Sequence, residues 1–381
     1  MTTGSLQKKN GKYYAVICFN NGGGKQTQKW ISTGYTIIGN KKKADQFLKE
    51  KIEEYSDVQQ VQDTKLLFSD FLTDWLEMHK IKVEAITYAG YKRLLLQIQP
   101  YFKQRKVYLL DLNAKHIQDY CTYKLKTVSP NTVLKHLTLI KTALKYAQKI
   151  KLIKENPSDW VERPRKQKFI GDYYNKDEIT TLLGVIKGSP IETPLMFAIY
   201  FGLRRSEIVG AKWSSIDWLN RTLTISHKVV PVNDNGTYRL DASDRLKTKS
   251  SYRTMPLDDT FVAFLAELKE QQETNKAYFG NTYSYEYDGY ICVNDMGQLI
   301  SPNYITAAFR KLLVKNDMRL IRLHDLRHSC ATLLLSLGYN MKDIQVWLGH
   351  GDIGTTMNIY AHVESSAKKA MIDGIANALN G

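Results

Sequence analysis

Two arginines, a lysine, two histidines and a tyrosine sit in four separated stretches with residue types suited to work on a phosphodiester. In "FGLRRSEIVGAKWSSID", Arg204 and Glu207 are three residues apart, one face of a helix. "LKTKSSYRTMPL" places Lys247, with Lys249 two residues on, before a strand ending at Pro256. "LHDLRHSCATLLLSLG" packs His324, Asp325, Arg327 and His328 into five positions, His324 and Arg327 again three apart. "WLGHGDIGTTMNIYAHV" sets His350 ten residues before Tyr360. A guanidinium offers a planar fork for two phosphate oxygens. A tyrosine hydroxyl is a nucleophile once its proton is taken. Histidine moves protons near neutral pH, and a lysine of lowered pKa can protonate a leaving oxygen. No carboxylate cluster suited to a metal accompanies them. The set suffices for phosphoryl transfer through a covalent phosphotyrosine with no metal or nucleotide cofactor. Such an intermediate keeps the phosphodiester energy, so ligation can reverse cleavage.

These groups need elements to hold them. Residues 8–38 alternate polar and apolar around glycines: "KYYAVICF" and "TQKWIST" read as strands joined by "NNGGGK". Helical spacing follows from Asn40, and Ser56–Asp63 reads as a linker. From Thr64 to Gln148 four helices are expected, the first with Phe68, Phe71, Leu72, Trp75 and Leu76 on one face. "ENPSDWVERPRKQK" reads as a second linker. Beyond it, helices over "NKDEITTLLGVIK" and "PLMFAIYFGLRRSEIVGAKWSSID" lead to strands "RTLTISH" and "SYRTMPL" flanking a long basic-polar loop. Helices return from Pro302. The apolar run Ala331–Leu337 should anchor the histidine–arginine segment in a core. The expected fold class is multidomain α+β, mainly α with small β sheets.

Charge narrows the partners. The chain carries +16 overall; residues 1–50 hold +7 and residues 64–170 hold +12, while residues 171–381 balance to zero. A polyanion gripped by the first 170 residues fits this distribution. An anionic membrane surface fits less well, because no basic amphipathic anchor stands out. No apolar run spans a bilayer and no secretory signal core opens the chain. Four scattered cysteines without a CxxC pair suggest reduced thiols in a cytoplasmic protein.

The motifs "GLRRSE", "KTKSSYRTMPL", "HDLRH", "LGH" and "TTMNIYAH", in this order, resemble those of the tyrosine recombinases, or phage integrase family. The layout is similar to integrases of temperate phages and Gram-positive conjugative transposons. The resemblance implies a three-stranded sheet with a helix for arm-type DNA over 1–55, a helical core-binding domain over 64–165, and a mixed α/β catalytic domain over 170–381. It further implies that Arg204 and Arg327 clamp the scissile phosphate, Lys247 (with Lys249 the alternative) is the general acid, and His324 assists proton transfer. His350 would bond the phosphate and Tyr360 would attack it. Glu207 and Asp325 would orient the arginines or histidines. His328 and His362 recur in the family's pattern; we read them as structural, with chemistry at His328 the alternative. Implied partners are double-stranded DNA at core-type and arm-type sites, a homotetramer on DNA, and an excisionase and host DNA-bending protein. A chromosome or plasmid dimer resolvase, a type IB topoisomerase and a non-catalytic DNA-binding regulator are the alternatives. The apolar stripe of the last 18 residues could dock in cis or on a neighbouring protomer.

Overall fold

The computed structural model describes residues 3–21, 25–62, 66–167, 171–234, 236–244, 246, 249–349, 351, 376 and 379. They form two compact units, Met1–Gln167 and Lys168–Gly381.

In the first unit, strands β1 (Thr3–Lys9), β2 (Lys12–Asn21) and β3 (Lys25–Thr36) make an antiparallel sheet in chain order. The β1–β2 register closes at Lys9↔Lys12 around Asn10-Gly11, both at positive φ. That backbone is the two-residue hairpin turn which Asn-Gly favours. Tyr13, Ala15 and Ile17 are buried, as is Ala44 of helix α1 (Lys41–Gln62), which lies over the sheet with Leu48 and Ile52 close to Gly4. The helix runs through the segment expected to be a linker; polarity at 56–62 does not end it, because no Gly or Pro stands there.

Four helices follow: α2 (Phe68–His79), α3 (Ala85–Gln104), α4 (Ala114–Leu125) and α5 (Pro130–Lys149). The expected α2 face is the buried one: Phe68, Phe71, Leu72, Trp75 and Leu76. Asn113 and Ser129 cap α4 and α5, and Pro130 opens α5 where its missing N–H costs nothing. His136 is fully buried on α5, 2.7 Å from the Tyr120 hydroxyl; burial pushes its pKa down to about 4, so it is a neutral core residue at pH 7.

The second unit begins with α6 (Lys176–Ile186), α7 (Glu192–Phe201) and α8 (Arg205–Val209). Strands β4 (Ile216–Asp217), β5 (Thr222–Ile225) and β8 (Arg253–Pro256) pair antiparallel in that order. The loop expected between "RTLTISH" and "SYRTMPL" holds a hairpin, β6 (Lys228–Asp234) with β7 (Thr237–Ser243). Pro231 is tolerated there because a two-stranded ribbon has free edges. Helices α9 (Asp259–Phe279), α10 (Pro302–Lys315), α11 (Asp325–Ser336) and α12 (Met341–Leu348) complete the unit. The observed class is mainly α with small antiparallel sheets. Among the described residues, no helix is long and apolar enough to cross a membrane.

Candidate functional site

The site begins where α7 stops. The helix is apolar on nearly all sides, so it sits in the core, and Gly202 ends it with φ +58. The break turns the single helix expected over this stretch into two. It leaves Arg204 extended, as the N-terminal cap of α8. Arg204 and Glu207 therefore meet at the start of α8, where the carboxylate reaches back to the N-cap residue, rather than along a helical face. The Glu207 carboxylate accepts from the Arg204 backbone N–H at 3.0 Å and from its Nη1 at 2.6 Å.

Glu207 is 3% exposed and holds a second guanidinium: Arg253 Nη2 donates to its Oε2 at 3.0 Å. Burial alone would raise the Glu207 pKa, but Arg253 and Arg204 outweigh it and hold the carboxyl below its ordinary value. Arg327 adds a third cation. Burial first, then Arg204 and Arg253, push its pKa down to about 9, against the opposing pull of Glu207; it stays charged at pH 7.

Arg327 and Arg204 also grip the end of α12. Arg327 Nη2 donates to the Leu348 carbonyl at 2.5 Å, and Arg204 Nη2 to the Gly349 carbonyl at 3.0 Å. A helix end leaves carbonyls unpaired and carries partial negative charge, so it suits two guanidiniums. Arg327 Nη1 donates to Gly202 at 2.6 Å, which ties the break after α7 to the same point. Gly349, at φ +65, turns the chain out of α12 toward His350.

In the segment "LHDLRHSCATLLLSLG" the expected apolar anchor packs on the core through Ala331 and Leu333–Leu335, but the tightest burial lies at the charged end. Asp325, Leu326, Arg327, Ser329, Cys330, Ala331 and Thr332 are buried, while Leu333–Leu335 are half-buried and Leu337 is exposed. The charged turn is the packed part, because it faces α7 and the end of α12. His324 caps α11, and its ring meets that of His328 edge-to-face at 5.5 Å. The residue is exposed overall, yet the packed side of its ring, then His328 and Arg327, push its pKa down to about 4. It is neutral at pH 7, and an anion between the arginines would raise its basicity. Asp325 is committed to Arg322, with bonds of 3.0 Å from Nε and 2.6 Å from Nη2.

The residues entering this unit pack on α11. Tyr174 N donates to Ser329 Oγ at 2.9 Å, and a Cβ on Gly171 would stand 2.8 Å from His328 Cδ2. Gly171→Ala must shift the His328 ring and, through it, His324. Overpacking of this kind costs about 1–3 kcal/mol. The expected result is slower single-turnover DNA cleavage with unchanged gel-shift affinity; an unchanged rate would mean the two rings are not coupled.

Arg204, Glu207 and Arg327 thus converge, and His324 lies one turn from Arg327. Lys247, His350, Tyr360 and His362 lie outside the described residues, as does the expected tail helix apart from residues 376 and 379. Lys249 opens a short turn, Lys249–Ser251, before β8. Arg253 received no role from the motifs. Its signal was strand alternation: Arg253 and Met255 share a face, and Met255 is core.

Three guanidiniums around one buried carboxylate, with a neutral histidine beside them, form a site suited to an oxyanion on a mainly helical scaffold. The description "Phage integrase family" matches residues 173–367, and "Phage integrase SAM-like domain" matches 67–167. The chain belongs to the phage integrase family, the tyrosine recombinases that cleave and rejoin DNA. It is 27% identical to a XerC-like tyrosine recombinase of Caldanaerobacter subterraneus subsp. tengcongensis, over 52% of this chain and 52% of that one, about half of each. It is 24% identical to the ICEBs1 integrase of Bacillus subtilis over 70% of this chain and 72% of that one. Among solved structures, the Tn1549 transposon integrase in complex with a circular intermediate DNA shares the fold. Its TM-score is 0.64 at 19% identity, over 80% of this chain and 99% of that one.

Proposed function

We propose that the chain is a site-specific DNA recombinase of the integrase type, which integrates and excises a mobile element. The observation that carries this reading is the excess of positive charge at Glu207. Three guanidiniums, those of Arg204, Arg253 and Arg327, gather at one buried carboxylate, and this concentration of positive charge suits Arg204 and Arg327 to a scissile phosphate. Tyr360 attacks that phosphate to form a 3′-phosphotyrosine, Lys247 protonates the 5′-oxygen, and His324 and His350 assist proton transfer and hold the phosphate. Strand pairs exchange through a Holliday junction in a tetramer on double-stranded DNA. Residues 64–165 grip core-type sites with their +12 charge, and residues 1–55 bind arm-type sites. An excisionase and a host DNA-bending protein set direction.

A dimer-resolvase role is the second reading, favoured by the XerC-like relative. The basic N-terminal sheet and the integrase relative support the integrase reading instead.

The test is a nicked suicide duplex made from the direct repeat that bounds the element carrying the gene, incubated without Mg²⁺. A denaturation-resistant adduct is expected, with mass mapping that puts the DNA on Tyr360. Absence of an adduct on that repeat, or DNA on another residue, overturns the reading. A resolvase would act on a plasmid- or chromosome-borne site and not on the repeat.

A further inference from the structure

We propose that Arg253 is the positioning residue that joins the three segments bearing the candidate catalytic groups: α8, the turn after Lys247, and the turn before His350. This deepens the recombinase reading and rests on it.

Arg253 opens β8, and its side chain is 6% exposed. Nη2 holds Glu207 Oε2 at 3.0 Å, on the same carboxylate that holds Arg204. Nη1 donates to the Ser251 carbonyl at 3.1 Å, which fixes the end of the Lys249–Ser251 turn. The third link is close packing. A Cβ on Gly349 would lie 2.7 Å from the Ser250 carbonyl oxygen and 3.0 Å from Arg253 Nη1, so the turn toward His350 lies directly on this segment. One planar guanidinium therefore touches all three segments, which a lysine with its single ammonium could not do.

A purely structural role fits poorly. Arg253 Nε is buried without a hydrogen-bond partner among the described residues. The guanidinium also adds repulsion to Arg327, which stability alone would select against. What Arg253 supplies is an ionised, oriented Glu207 and a fixed distance between the lysine turn and the arginines. Displacements of about 1 Å at such positions cost rates up to about a hundredfold.

The test uses the full chain and the variants R253Q, R253K, E207Q and R253Q/E207Q, each checked for fold by circular dichroism. Urea unfolding of the four proteins should show that the R253Q and E207Q effects are strongly non-additive; additive effects overturn the proposal whatever the protein does to DNA. On the suicide duplex, R253Q should cleave about tenfold to a hundredfold more slowly at unchanged gel-shift affinity. Its acid limb should move to higher pH, because Glu207 then faces only Arg204 and Arg327. R253K should restore that limb but not the rate. Wild-type rates or unmoved acid limbs overturn the proposal. A wild-type protein that forms no adduct overturns the recombinase reading instead, and the unfolding cycle still decides the role of Arg253.

Discussion

Arg327→Lys lowers single-turnover DNA cleavage by roughly 10²–10³-fold while leaving DNA affinity nearly unchanged. The Arg327 guanidinium spans two carbonyls on different elements, Gly202 at the end of α7 and Leu348 at the end of α12. A lysine places one ammonium where two diverging donors stood, so at least one buried carbonyl loses its partner, at about 1–3 kcal/mol. The α12 end then shifts relative to Arg204, which holds the neighbouring Gly349 carbonyl. The planar fork that would meet two phosphate oxygens is lost at the same time. DNA affinity is spread over many phosphate contacts in a chain carrying +16, so one conservative change of a buried residue hardly affects it. Single-turnover cleavage at saturating protein and a parallel gel shift separate the two effects. A variant that cleaves at the wild-type rate would remove Arg327 from the chemistry.

The sequence showed the α2 face fully, because five large apolar residues at helical spacing leave one way to pack. Of the candidate site residues it offered, Arg204, Glu207 and Arg327 are brought together, while Lys247, His350 and Tyr360 lie outside the described residues. It hid the way the arginines are held. Gly202 lies inside an apolar run that reads as continuous helix, and only tertiary packing makes it a stop: its Cβ would lie 2.5 Å from Leu348 Cδ2. It hid the β6–β7 hairpin, although Asn235-Gly236 is a strong hairpin signal, because Pro231 and the polar residues around it read as loop. It also placed only part of the α11 core, the part that Ala331 and Leu333–Leu335 supply. Leucines at 333–335 promise full burial and Arg327 does not, yet the carbonyls that end α7 and α12 converge on the arginine and bury it. Periodicity measures apolar content along one helix; it does not register that a charged group can be buried by partners from elsewhere in the chain.

Glu207→Gln should destabilise the second unit by about 3–5 kcal/mol, the cost of removing one member of a buried ion pair. Arg204 is 34% exposed, so water screens part of its share and the lower end of that range applies to it; Arg253, at 6%, bears most. Without the carboxylate, Arg204, Arg253 and Arg327 repel one another and lose the charge that Glu207 set against them. The pH dependence identifies the cause. The Glu207 pKa is depressed in the folded protein. Its contribution is therefore complete above the unfolded carboxylate value of about 4.3 and is lost as pH falls through the folded value. His324 changes stability over a higher window. Its pKa, near 6.5 unfolded and about 4 folded, removes stability as pH falls from the first to the second. That loss is common to wild type and variant, so it cancels in their difference. Calorimetry of both proteins from pH 8 to pH 3 should show a large, flat gap in melting temperature above about pH 5 that narrows in the acid range. A gap that persists undiminished at low pH would mean that Glu207 acts through packing and hydrogen bonding alone, and the ion-pair account of the site would fall.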